Sequence, residues 1–254
     1  MNTSNAWPPE AAARTSTGRV RTSNEDSFGY RADCGIFIVC DGMGGAAGGE
    51  IASRMTVQAI LDRMTSDSEP TPETLHEAIS TANQSVLDHA DRDPGLFGMG
   101  TTLVALLLRP GPQTGSALIA HAGDSRCYLF RDGNLTRCTH DHSLVDEQIR
   151  LGTMTQEEAD RSPFRSVITR AIGTQKSVME EVVDLATRPG DVFLLCSDGL
   201  TREVSEAQMA EILGAEGSLD DAAARLIDAA NEAGGRDNVT CLLVRVRYPE
   251  APHE

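Results

Sequence analysis

The length and charge of this chain already exclude several classes of protein. Its 254 residues can form a sizeable hydrophobic core, in one large domain or two small ones. The formal net charge is -16 at pH 7, whereas nucleic acids and anionic membranes bind basic surfaces. We therefore expect neither a nucleic-acid partner nor a membrane partner.

The first residues and the cysteines indicate a compartment. Residues 1–16 contain no apolar segment of the kind found in signal peptides, and the longest apolar run, 103–108, is too short to span a bilayer. The six cysteines lie in or beside apolar runs without Cys-x-x-Cys spacing, which is typical of buried thiols in a reducing compartment. We therefore expect a cytoplasmic protein without disulfides or a zinc site.

In chain order, a polar tail over residues 1–14 precedes apolar and β-branched runs that predict strands, and amphipathic segments predict helices. Asp132-Gly133-Asn134 is predicted to join two strands as a hairpin. The predicted strands are 28–30, 35–40, 102–109, 116–121, 125–131, 135–138, 180–185, 192–196 and 239–246. The predicted helices are 50–64, 73–91, 205–213 and 219–233.

The order of these elements favours the α+β fold class. Strands occur in runs and helices in pairs, which is typical of antiparallel sheets flanked by helices and unlike alternating βαβ units. No internal repeat or long linker divides the sequence. We predict a single domain.

Five short motifs each place an acid at a predicted strand end or beside a glycine. Asp41 follows the apolar run 36–40 and precedes five glycines within eight positions. The other motifs are NED (24–26), GDSR (123–126), CSDG (196–199) and GRDN (235–238). Short carboxylates without His or Cys ligands at useful spacing suit Mg²⁺ or Mn²⁺ better than zinc. The motifs therefore predict a pair of hard metal ions, the usual arrangement for phosphoryl hydrolysis.

Two other phosphate-binding patterns occur in the sequence. Residues 42–47 fit a dinucleotide-binding fingerprint, although the charge of Asp41 would repel a pyrophosphate and no strand can follow Asp62. Cys196 and Arg202 have the spacing found in the phosphate loop of cysteine-dependent tyrosine phosphatases. Asp198, between them, would repel phosphate and raise the pKa of the thiol. Both patterns are alternatives to the metal centre.

Seven segments resemble, in content and order, the bacterial metal-dependent protein phosphatases of the PPM class, also called type 2C. They are GRVRTSNEDSFG, FIVCDGMGGAAGGE, GTTLVALLL, AHAGDSRCYLF, THDHS, LLCSDGL and GRDNVTCLLV. The resemblance spans residues 15–247 and leaves 1–14 and 248–254 as tails. It implies a four-layer αββα sandwich with two central antiparallel sheets, and a protein serine/threonine phosphatase that acts on phosphorylated proteins.

The resemblance also assigns the metal ligands. Asp41 is similar to the carboxylate that bridges two Mn²⁺ or Mg²⁺ ions, and the Gly42 carbonyl to a ligand of one of them. Asp198 and Asp237 are similar to the acids that complete the shell of the other ion. The implied mechanism is direct attack on phosphorus by a hydroxide that bridges the metals, without a covalent intermediate.

Further residues resemble those that surround the two metal ions in members of the family. Glu25 is similar to the acid that holds a metal-bound water, with support from Asp26, and Asp124 with Asp198 resembles a weaker third-metal site. Arg21 resembles the arginine that binds the phosphate, for which a bidentate guanidinium is well suited. The resemblance implies a cognate Ser/Thr kinase as partner, and we expect a monomer.

The chain departs from the family pattern at the general acid. Met43 stands where animal members have His, and Ala46 stands where many bacterial members have His. We expect a metal-bound water to protonate the leaving group instead. This predicts a slow enzyme, or one that prefers good leaving groups.

The segment after THDHS is predicted to shape access to the site. Ser143 and Asp146 form a capping box, so His140 and His142 are predicted to belong to a helix start and not to act in catalysis. Residues 144–167 correspond to the family's flap, and their low apolar content predicts mobility and an influence on substrate choice. A non-catalytic binding module with the same fold is a further alternative, disfavoured because the ligand residues are all present.

Overall fold

The computed structural model describes residues 7–44, 48–65, 71–111 and 114–247. Over these ranges the chain forms two stacked sheets with helices on both outer faces. This is the four-layer αββα sandwich that the family resemblance implied, and it confirms the α+β class predicted from the order of elements. The strands are β1 (Glu10–Ser16), β2 (Asp26–Arg31), β3 (Ile36–Met43), β4 (Gly100–Thr101), β5 (Leu103–Arg109), β6 (Gly115–Ala122), β7 (Arg126–Arg131), β8 (Asn134–Arg137), β9 (Glu181–Thr187), β10 (Val192–Cys196) and β11 (Val239–Arg245).

The first sheet has the strand order β1-β11-β10-β7-β8 and the second the order β2-β3-β5-β6-β9, with the short β4 paired to β3. Each pairing between these described strands is antiparallel. A dinucleotide site needs parallel strands joined by a crossover helix. The fingerprint at residues 42–47 begins in β3, whose pairings are all antiparallel, so it does not form a dinucleotide site. Residues 45–47 lie outside the described ranges.

Helices cover the two outer faces of the sandwich. α1 and α2 pack on the second sheet, while α6 and α7 pack on the first. The last helix buries the apolar stripe that its three- and four-residue spacing predicted. The helices are α1 (Gly48–Thr65), α2 (Pro72–Arg92), α3 (Leu144–Arg150), α4 (Gln156–Asp160), α5 (Asp198–Thr201), α6 (Glu206–Gly214) and α7 (Leu219–Ala233).

Strand β3 shows why the sandwich needs continuous apolar runs. Phe37 and Val39 point into the layer between the sheets, whereas Ile36, Ile38 and Cys40 point toward α1 and α2. Successive side chains of a strand face opposite sides, and both sides of this strand are covered. The run IFIVC is therefore buried on both faces, and it delivers Asp41 to the rim of the sandwich.

The predicted N-terminal tail is too long, because a strand begins within it. Residues 1–14 were expected to be a tail, but β1 begins at Glu10 and pairs along its whole length with β11. Its sequence, EAAARTS, has low intrinsic β propensity, so pairing with a distant strand decides its conformation. The predicted C-terminal tail, 248–254, lies outside the described residues.

The flap begins with the predicted helix start but with only one of the two bonds of the predicted capping box. Ser143 is the N-cap of α3, and its hydroxyl accepts a hydrogen bond from the Asp146 N–H at 3.2 Å. The flap also contains α4, which the sequence did not predict as a helix because it has only five residues.

Cys40, Cys127, Cys196 and Cys241 are buried in apolar clusters, as predicted, while Cys34 and Cys138 (the remaining two) are partly buried. In the ranges that the structure describes, we find no helix with both the length and the apolar character needed to cross a bilayer.

Candidate metal centre

The acids of the five motifs converge on one edge of the sandwich. Asp41 lies near the end of β3, Asp198 begins α5 directly after β10, and Asp237 lies just before β11. These three and Glu25 line one cavity of about 470 Å³. Asp124, in the β6–β7 turn, lines an adjoining cavity of about 440 Å³ that also contains Asp198. Strand ends that are far apart in sequence thus bring the predicted ligands together.

Neighbouring strands hold Asp41 in place through its backbone. The Asp41 N–H donates to Thr102 Oγ1 at 2.8 Å, and the Asp41 carbonyl accepts from the Thr102 N–H and the Thr101 hydroxyl, each at 2.9 Å. Because the backbone is bound on both sides, the carboxylate is free to face the cavity. Thr101 and Thr102 are supporting residues that sequence reasoning did not single out, although they lie in the segment GTTLVALLL.

Two glycines allow Glu25 to approach β3. A Cβ on Gly49 would lie 2.1 Å from Glu25 Oε2, and a Cβ on Gly42 would lie 2.1 Å from the Gly49 carbonyl oxygen and 2.6 Å from that of Glu25. Real Cβ atoms do not approach other atoms so closely. The glycines after Asp41 therefore let three backbone segments meet at the site.

Asn238 anchors the loop that carries Arg21 and Glu25. Its Oδ1 accepts from the Glu25 N–H at 2.8 Å, and its Nδ2 donates to the carbonyls of Ser23 at 2.8 Å and Thr17 at 3.0 Å. This residue was missed as a functional position, yet it follows Asp237 in the GRDN motif. A side chain with both donor and acceptor groups suits this bridging task.

The acidic groups of the site repel one another strongly. Removal from water, together with the charges of Asp26, Asp198 and other acids, raises the pKa of Asp41 well above its ordinary value. The same causes raise the pKa of Asp198 to about 8 and that of Asp26 to about 6. Asp26 Oδ1 and Asp198 Oδ1 are also buried without a hydrogen-bond partner among the described residues. This combination of excess negative charge and free carboxylate oxygens fits divalent cations.

Arg21 lies at the mouth of the main cavity. Its Nη2 donates to Asp237 Oδ2 at 3.0 Å, and its side chain remains 53% exposed. A guanidinium that is held at one side and open on the other can bind a phosphoryl group above the acids. Met43 lines the same cavity, whereas Ala46 lies outside the described residues.

A histidine stack lies behind the Asp124 turn. The His121 and His142 rings stack with centroids 4.6 Å apart and an interplanar angle of 9°, and with Glu181 they form a group whose ligand-type atoms lie within 4.8 Å of one another. A metal ion lies in the plane of each imidazole that binds it, and two parallel stacked planes cannot share one. His142 Nδ1 instead accepts from the Gly123 N–H at 3.3 Å, which supports the turn that carries Asp124.

The cysteine-dependent alternative does not agree with the geometry. Cys196 is fully buried in the apolar layer beneath α7, and burial raises the pKa of its thiol. Its supposed partner Arg202 ion-pairs with Asp198. A phosphate cannot reach a thiol that lies inside the core.

Comparisons with known proteins show the family of this chain. Residues 15–243 match the family model described as Protein phosphatase 2C. The chain is similar to the serine/threonine phosphatase stp of Listeria monocytogenes, with 38% identity over 92% of this chain and 94% of that protein. It is also similar to PstP of Mycobacterium tuberculosis, with 40% identity over 92% of this chain and 44% of that protein.

Solved structures show the same architecture. The crystal structure of the M. tuberculosis phosphatase PstP matches with a TM-score of 0.85 and 37% identity, over 94% of this chain and 99% of that one. The PstP catalytic domain in complex with two manganese ions matches with a TM-score of 0.82 and 36% identity, over 93% and 97% of the two chains. By motif order, fold and sequence, this chain belongs to the protein phosphatase 2C family.

Proposed function

We propose that this chain is a metal-dependent protein serine/threonine phosphatase that hydrolyses phosphoserine and phosphothreonine at a dinuclear centre. The observation that carries the proposal is the convergence of Asp41, Asp198 and Asp237 in one cavity with Arg21 at its mouth. The relatives stp and PstP, both named serine/threonine phosphatases, support the same activity.

The residues of the cavity suit two Mn²⁺ or Mg²⁺ ions. Asp41 would bridge them, the Gly42 carbonyl would bind one, and Asp198 and Asp237 would complete the shell of the other. When bound, such ions activate a water molecule and neutralise the phosphoryl oxygens. The related PstP structure with two manganese ions supports this count.

The chain's own side chains orient the substrate. Arg21 would bind two phosphoryl oxygens and hold the phosphorus for in-line displacement, while its bond to Asp237 fixes the guanidinium. Glu25 would orient a water molecule, because Asn238 binds its backbone N–H and Gly49 leaves room for its carboxylate.

The proposal extends to the setting of the enzyme. A Ser/Thr kinase must supply a phosphorylated protein substrate, so we include a cognate kinase as partner. The proposal includes a monomer, and six free cysteines support a cytoplasmic location.

The test is hydrolysis of an aryl phosphate and a phosphothreonine peptide by metal-stripped protein, with Mn²⁺ or Mg²⁺ added back. We expect turnover to depend on metal, and Asp41→Asn to lower it at least about a thousandfold because a bridging charge is lost. Cys196→Ala is the matched control and should remain active. Activity that survives a chelator but not thiol alkylation would overturn the proposal. Metal binding without hydrolysis of either substrate would favour the non-catalytic module.

A histidine at position 46 is expected to restore a general acid. Ala46→His should raise turnover of the phosphothreonine peptide at least about tenfold, and that of the aryl phosphate much less, because only the alkoxide needs a proton to leave. Ala46→Asn, which is polar but does not titrate, serves as the control. Equal gains on both substrates would refute a role in leaving-group protonation.

A further inference from the structure

Arg202 contacts three of the acids assigned to the metal centre. Its guanidinium pairs with Asp198 through Nη2, lies 3.7 Å from Asp124 Oδ2 through the same nitrogen, and lies 3.9 Å from Asp237 Oδ2 through Nη1. The short helix α5 places Arg202 four residues after Asp198, on the same face of the turn. The contact with Asp198 is therefore local, whereas those with Asp124 and Asp237 depend on the fold.

The position of this guanidinium bears on the third-metal site. By resemblance, a third ion would bind between Asp124 and Asp198, and Arg202 Nη2 lies beside a carboxylate oxygen of each. Asp124 is 10% and Asp198 13% exposed, so their charges are poorly screened by water. A guanidinium is a permanent cation. A divalent ion that used the same oxygens would have to displace this cation or accept its repulsion.

Arg202 also separates the two cavities of the site. It lines both the main cavity and the adjoining one, and Nη2 lies 3.5 Å from Ser166 Oγ of the flap. Its side chain is 42% exposed and lies between the acids on one side and the flap hydroxyl on the other. The three ion pairs with acids therefore define where the guanidinium lies.

We propose that Arg202 takes the place of the third cation, neutralising Asp124 and Asp198 and opposing a third divalent ion. This inference rests on the proposed dinuclear phosphatase. Asp198 Oδ1 has no hydrogen-bond partner among the described residues and stays available to the second ion, whereas Arg202 Nη2 lies at the Oδ2 atoms of Asp198 and Asp124. The inference therefore predicts that the chain binds two Mn²⁺ ions well and a third only weakly. It also assigns Asp124 a partner within the chain, the Arg202 guanidinium.

The experiment counts bound Mn²⁺ by equilibrium dialysis over a range extending to millimolar free ion. Wild type should bind two ions per chain, and Arg202→Met should bind a third at least about tenfold more tightly than wild type does, because the opposing charge is gone. Adding Asp124→Asn to Arg202→Met should return the count to two. Arg202→Lys keeps the charge and should resemble wild type.

A matched control changes the net charge equally without touching the acids. Arg161→Met removes an exposed arginine of the flap whose ion pair is with Glu157, and it should leave the Mn²⁺ count unchanged. Equal third-ion affinity in wild type and Arg202→Met would overturn the role of Arg202 and leave the dinuclear centre standing. Fewer than two ions on wild type would overturn the dinuclear centre and with it this inference.

Discussion

Asp41→Asn is expected to stabilise the metal-free protein at neutral pH and to abolish the stabilisation that Mn²⁺ provides. Asp41 is buried close to other acids, which raises its pKa. The ionised form is therefore unfavourable in the folded state. We expect the free energy of unfolding to rise by about 1–3 kcal/mol, since an uncompensated charge is removed from a poorly solvated site. Urea denaturation in chelator, followed by the same titration with Mn²⁺, measures both effects.

The stability of the metal-free protein is expected to fall as the pH rises. A carboxyl whose pKa is raised on folding contributes stability below its unfolded pKa and loses it as the pH rises through the folded value. For Asp198 this window runs from 3.8 to about 8, and the raised pKa of Asp41 adds to it. Metal-free wild type should therefore lose stability as the pH rises, and Asp41→Asn should lose less.

Replacing a second aspartate, Asp141, is a control that should change the free energy of unfolding in the opposite direction. Asp141 pairs with Arg126 at 2.7 Å and with Arg137, so its charge is compensated. Asp141→Asn should destabilise the metal-free protein under the conditions in which Asp41→Asn stabilises it. If Asp41→Asn were also destabilising, or if its stability followed pH in parallel with wild type, charge repulsion would not govern the metal-free site.

Gly42→Ala is expected to damage both the fold and the activity. The added Cβ would meet the carbonyl oxygens of Gly49 at 2.1 Å and Glu25 at 2.6 Å, and both are backbone atoms that cannot simply rotate away. We expect a loss of about 1–3 kcal/mol in the free energy of unfolding, as for other overpacked sites. Displacement of β3 would move Asp41 and Glu25 apart, and turnover should fall at least about a hundredfold.

Gly214→Ala is the matched control for this substitution. A Cβ at Gly214, the last residue of α6, would meet only Phe130 Cζ at 3.4 Å, which is ordinary contact. Its stability should change by less than about 0.5 kcal/mol, and its activity should be that of wild type. The test compares the two variants in denaturant unfolding, which gives the free energy of unfolding, and in metal-activated turnover. Wild-type turnover by Gly42→Ala would show that the site tolerates a shift of β3.

Local sequence predicted much of the fold because apolar runs and amphipathic stripes report burial directly. The limits of β10 and α7 were predicted to the residue, and those of β3 and α1 differ by only a few positions. β1 was missed because its alanines carry little β signal, and β4 and α5 because each is very short. Elements whose conformation depends on a distant partner leave little trace in local periodicity.

The motifs of the sequence by themselves identified the acids, the glycines that let backbones meet, and the family whose order of motifs they share. Only the tertiary structure decided which charges face one another. Arg202 belongs to the motif that suggested a thiol mechanism, yet its guanidinium lies against Asp124, Asp198 and Asp237. Sequence spacing can predict the pair four residues apart on a helical turn, but contacts between separate strand ends depend on how two sheets stack.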